Sequence, residues 1–129
     1  MTVLVAYIPT PEGNAAFTAG VEEAGRRRER LLVLNTPREG ALVSADVASE
    51  AAVAALVERA EAAGVDVEIR QDAHAGDLAE EVVRVAEAVD ASVIVIGLRR
   101  RSPVGKLIMG SSAQRILLDA DRPVLAVKP

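Results

Sequence analysis

The residues with chemistry to offer gather in one stretch, Gly97-Leu-Arg99-Arg100-Arg101-Ser-Pro-Val-Gly105-Lys106-Leu-Ile-Met-Gly110-Ser111-Ser112. Between Arg99 and Lys106 it carries four cations and no acid. An apolar run from Ser92 to Ile96 precedes it, and a helical pattern follows from Ser111. A strand, a glycine-bearing loop and a helix start are the arrangement that holds phosphate. The loop offers backbone N–H groups, and the helix start adds unpaired N–H donors at the positive end of its dipole. Guanidinium groups at Arg99 and Arg100 add bidentate donors for phosphate oxygens. Each residue also has an ordinary role: Gly97 as a turn glycine, Ser111 as a helix cap, Gly105 in the turn after Pro103. Their joint occurrence after the most apolar strand favours an anion site.

Other chemistries lack their residues. The chain has no Gly-x-x-x-x-Gly-Lys-Ser/Thr loop, and no Gly-x-Gly-x-x-Gly follows the first apolar run. With no cysteine, disulfides, thiolate zinc sites and thiol catalysis are excluded. The single histidine, His74, has no second histidine to share a metal, and reads as a loop residue before Gly76. Ser111 and Ser112 have no evident base, because Asp119 and Asp121 lie past the far end of the last helical pattern. A net charge of −4 disfavours general nucleic-acid binding, which needs a broad basic surface. The second basic clump, Arg26-Arg27-Arg28 with Arg30, reads as a solvated helix end. The chain enters Val3-Leu4-Val5-Ala6 without a basic leader, and no apolar run approaches a membrane span. The expected location is therefore the cytoplasm, away from membranes.

The elements that must position the basic loop alternate. Strands are expected at Thr2 to Ile8, Leu31 to Leu34, Val65 to Ile69, Ser92 to Ile96 and Val124 to Val127. Helices are expected at Glu12 to Arg28, Ser44 to Ala63, Asp77 to Val89 and Ser111 to Ala120. Ser44 and Asp77 read as N-caps and Gly64 as a C-cap. Strands alternating with helices make a parallel sheet covered on both faces, so the chain is read as a single α/β domain over residues 1–129. Its only aromatic residues are Tyr7 and Phe17, so the core must be aliphatic. Ligands of such sheets bind beyond the carboxyl ends of the strands, which points to the loops after Ile8, Leu34 and Ile96.

Gly97, two residues, Arg100, nine residues, then Gly110-Ser111 resembles the nucleotide-binding motif of the universal stress protein family. That motif runs glycine, two residues, glycine, nine residues, glycine, then serine or threonine. The flanking runs Asp90-Ala-Ser-Val-Ile-Val-Ile-Gly97, Gln114-Arg-Ile-Leu-Leu and Arg122-Pro-Val-Leu-Ala-Val127 are similar too, and the order of elements matches over the whole chain. The resemblance implies a Rossmann-like, open five-stranded sheet of order 3-2-1-4-5, akin to the adenine-nucleotide alpha-hydrolases. As ligand it implies ATP or another adenine nucleotide, with magnesium as a candidate companion. Ala6, Tyr7 and Ile8 would then line the nucleoside pocket, and the backbone of Asn35 would meet the adenine. Gly97 would approach the ribose and phosphates; Gly110, Ser111, Ser112 and Ala113 would hold phosphate, with Arg99 and Arg100 beside them. The resemblance also implies a stress-associated protein acting by ligand-dependent conformation or partner binding. A homodimer would form by pairing Pro123 to Val127 with its two-fold mate.

Two residues depart from the motif. Ile8 stands where nucleotide-binding relatives place an aspartate, and Arg100 stands at the second glycine. Arg100 either grips phosphate or closes the pocket. The alternatives are a nucleotide-binding protein and a dimeric interaction protein with a closed pocket, with slow ATP hydrolysis a third.

Overall fold

Apolar runs become the strands of one sheet in the computed structural model, which describes residues 1–35, 47–71, 77–99 and 111–129, with only the backbone of Ser111. The elements follow in the order β1 (Thr2–Ala6), α1 (Pro11–Arg27), β2 (Arg30–Leu34), α2 (Glu50–Ala62), β3 (Val67–Arg70), α3 (Leu78–Ala88), β4 (Ala91–Gly97), α4 (Ser111–Asp119) and β5 (Val124–Val127). All pairings are parallel and the strand order is β3-β2-β1-β4-β5. The expected topology is what the chain adopts.

Both faces of the sheet are covered, which is why β4 reads Val-Ile-Val-Ile without polar alternation. Val3, Val5, Leu31, Val33, Val93 and Val95 pack beneath Phe17 of α1 and Leu56 of α2. Leu4, Leu32, Leu34, Ile94 and Ile96 pack against Val82 and Val85 of α3 and Ile116 of α4. The period of two along each strand sends alternate side chains to the two layers.

Local signals set most helix ends. Thr10 caps α1 by accepting from the Gly13 N–H at 3.1 Å, with Pro11 in the first turn. At the other end Arg28 turns left-handed (φ 55°), while Arg26 and Arg27 pair with Glu23. Asp77 caps α3 through the Glu80 N–H at 2.8 Å. Its carboxylate also meets Arg115 of α4, which reaches Glu80 as well, so one guanidinium ties the start of α3 to the middle of α4.

One helix starts later than expected. Val47 to Ser49 are not helical, and α2 begins at Glu50 with Ser49, not Ser44, as its cap. Tertiary bonds hold the approach open: the Ala48 N–H donates to Asn35 Oδ1 (2.8 Å), and the Ala48 carbonyl accepts from Gln71 Nε2 (2.9 Å). Ser44 itself lies outside the described residues. The third strand also starts later, at Val67, because the Val65 N–H closes onto the Ala60 carbonyl at the end of α2 (2.9 Å). Among the described residues, no helix is long and apolar enough to cross a membrane.

Candidate functional site

β1 lies between β2 and β4, and the chain reverses its direction of winding there: β2 and β3 are laid down to one side, β4 and β5 to the other. A crevice opens at such a switch point because the crossover helices depart to opposite faces. The crevice here is a cavity of about 270 Å³. Ala6, Tyr7 and Ile8 line it where the chain leaves β1, and Ile96, Gly97 and Arg99 where it leaves β4. Glu12 and Gly13 of α1, Leu78 of α3, and Ser112, Ala113 and Ile116 of α4 complete the described wall. The first turns of three helices therefore face one space, and their positive dipole ends favour an anion there.

Two glycines let α1 come this close. A Cβ on Gly97 would fall on the Glu12 carbonyl oxygen, and one on Gly13 would fall on the Ile8 carbonyl oxygen. Each obstacle is backbone, which cannot swing aside as a side chain does. Glycine at both positions lets the first turn of α1 sit down between the exits of β1 and β4.

Most of the described wall is apolar, and it holds two charges. Glu12 Oε1 and Arg99 Nε stand 3.7 Å apart. The glutamate side chain is 14% exposed and the arginine side chain 61%, so the carboxylate lies deep and the guanidinium lies at the mouth. The Tyr7 ring packs edge-on to Phe17, with centroids 6.4 Å apart, and its hydroxyl donates to Asn14 Oδ1 at 3.2 Å. Burial pushes the Tyr7 phenol above its ordinary pKa, with Arg59 pulling partly back.

Seven of the expected site residues meet at this cavity: Ala6, Tyr7, Ile8, Gly97, Arg99, Ser112 and Ala113. Asn35 is buried at the end of β2 and is not in the described wall. Its Nδ2 donates to the Tyr7 carbonyl (2.9 Å), and its Oδ1 accepts from Ala48 N–H and from Gln71 Nε2 (3.0 Å), which braces the chain where it leaves β1. Arg100, Gly110 and the Ser111 side chain lie outside the described residues, as do His74, Gly105 and Lys106. Among the described residues no group of acids and histidine is placed to hold a metal.

Sequence reasoning missed Glu12, Gly13, Leu78, Ile96 and Ile116. Gly13 carried a signal, since a glycine inside a first turn opposes helix propensity and asks for a close approach. Leu78, Ile96 and Ile116 read as core, and nothing in a hydrophobic stripe marks which members border an opening.

Fold and cavity together define an open-sheet α/β protein with a ligand crevice at its topological switch point. The sequence model of the Universal stress protein family matches residues 1–128. A universal stress protein of Mycolicibacterium smegmatis is 44% identical over 127 residues, covering 98% of this chain and 97% of its own length. The structure of a universal stress protein from Archaeoglobus fulgidus aligns with TM-score 0.85 at 30% identity, covering 99% of this chain and 98% of that one. A structure of the Archaeoglobus fulgidus universal stress protein in complex with dAMP aligns with TM-score 0.80 at 23% identity over the same shares of both chains. The chain belongs to the universal stress protein family.

Proposed function

We propose that this protein binds an adenine nucleotide in the cavity between β1 and β4 and reports its occupancy, through conformation or a partner, during stress in the cytoplasm. The observation that carries this reading is the cavity itself: apolar in depth, bordered by three helix starts, with Arg99 at its mouth. An apolar slot suits a flat base, and helix N–H groups with a guanidinium suit phosphate. The chain between Arg99 and Ser112 adds Arg100, Arg101 and Lys106 and no acid, which suits more than one phosphate. A triphosphate brings magnesium on its own oxygens, since that ion is held largely by phosphates and water with few protein carboxylates. A related protein of the same fold is known in complex with dAMP, which supports the same ligand class here.

Calorimetry tests the reading. The wild type should release or absorb heat with AMP or ATP, and Ala113→Glu, which puts bulk and negative charge into the cavity, should weaken binding about tenfold or more. No heat and no thermal shift with millimolar ATP or AMP would remove it. Arg100 at the second motif glycine favours a second reading, an interaction protein with a closed pocket. That reading gains if Arg100→Gly creates nucleotide binding absent from the wild type.

The same reading includes a homodimer through β5. The Pro123 carbonyl accepts from Ile94 N–H (2.9 Å) and the Val127 carbonyl from Leu98 N–H (2.7 Å). By alternation, Val124 and Ala126 aim their backbone groups at the outer edge of the sheet. Leu118 stands 75% exposed on α4. A second copy paired along β5 would satisfy the edge.

A further inference from the structure

We infer that Glu12 selects a ligand with free ribose hydroxyls, accepting their hydrogen bonds on its carboxylate; this rests on the nucleotide reading above. Glu12 is the one acid in the described cavity wall. Arg99 stands at 3.7 Å, beyond hydrogen-bond distance, so it does not occupy the carboxylate's acceptor sites. A carboxylate facing the cavity accepts from water there, and a ligand that displaces this water must supply donors in its place. Phosphate is unsuited to that spot because like charges repel. Hydroxyls suit it.

The neighbouring arginine decides which part of the ligand meets Glu12. With a phosphate on Arg99, the group beside Glu12 is the sugar, one ester link from the phosphate. The amino group of adenine lies at the opposite end of the nucleotide. The backbone of Glu12 is also fixed, because its carbonyl oxygen occupies the space that a side chain on Gly97 would take. An acid in a first turn also suits the dipole of α1, but that role calls for no burial and does not distinguish one nucleotide from another.

The test compares AMP, 2′,3′-dideoxy-AMP and inosine 5′-monophosphate by calorimetry on the wild type, Glu12→Ala and Glu12→Gln. The wild type should bind AMP about tenfold tighter than the dideoxy compound, as expected for hydrogen bonds to a charged acceptor. In Glu12→Ala that ratio should fall to about one, with dideoxy-AMP binding unchanged or improved. Glu12→Gln, which keeps an acceptor oxygen without the charge, should fall between. An unchanged ratio in Glu12→Ala, or equal weakening of both ligands, overturns the inference while leaving the nucleotide reading intact. So does a preference that inosine 5′-monophosphate abolishes and the dideoxy compound retains, since the carboxylate would then read the base. A wild type that binds none of the three overturns the inference and the nucleotide reading together.

Discussion

Gly97 answers two demands with one missing side chain. It borders the cavity, and it leaves room for the carbonyl of Glu12. Gly97→Ala should cost about 1–3 kcal/mol, the usual range for forcing an extra methyl into a packed site, because the obstacle is backbone. Urea unfolding measures this directly, and an unchanged midpoint would mean that the first turn of α1 yields freely. Asn35 shows a different kind of residue-level control. Its amide clasps Tyr7, Ala48 and Gln71, three separate segments, at the end of the sheet where the cavity opens. The family resemblance points its backbone toward a ligand, and its side chain holds the exits of β1 and β2 in place.

At the scale of elements, α3 and α4 border the cavity together, and the start of α3 is tied to the middle of α4. Asp77 does both jobs at that junction, capping α3 and pairing with Arg115. The Glu80 N–H, and then Arg115, hold its carboxyl below the ordinary aspartate value. A depressed folded pKa means that the contribution is present above the unfolded pKa, near 4, and is lost as pH falls through the folded value. The melting temperature of the wild type should therefore exceed that of Asp77→Ala at neutral pH, and the gap should close on acidification below about pH 4. A gap that persists undiminished at the acid end would show that the ionised carboxylate is not what joins the two helices. The late start of α2 belongs to this scale too. Val47 and the alanines at 45 and 48 continue the helical pattern upstream of Glu50, yet a hydrogen bond to Asn35 and one from Gln71 hold Ala48 out of the helix.

For the whole molecule, the sheet order leaves β5 at one edge, with Val124 and Ala126 presenting backbone donors and acceptors outward. Ala126→Pro removes the outward N–H without touching the bonds to β4, a substitution that edge strands tolerate. Light scattering after size exclusion at micromolar concentration should give twice the chain mass for the wild type and one chain mass for Ala126→Pro. A monomeric wild type would end the edge-pairing proposal. A dimeric variant would move the interface elsewhere, with the exposed face of α4 around Leu118 the next place to look.

Element types, the parallel sheet and its covered faces were legible in the chain, because burial on both sides writes continuous apolar runs such as Val93 to Ile96. Caps at Asp77 and the strand Val124–Val127 were legible for the same local reasons. The strand order came through family resemblance, since no single run states its neighbour. Only the tertiary structure decided that Gly13 and Gly97 exist for the close approach of α1, and that α2 waits until Glu50. It alone set Glu12 deep in the cavity with Arg99 at the mouth. A first-turn glutamate looks the same in sequence whether it faces solvent or a ligand. Its depth depends on packing between α1 and β4, residues that are far apart in the chain and meet only when the sheet has formed.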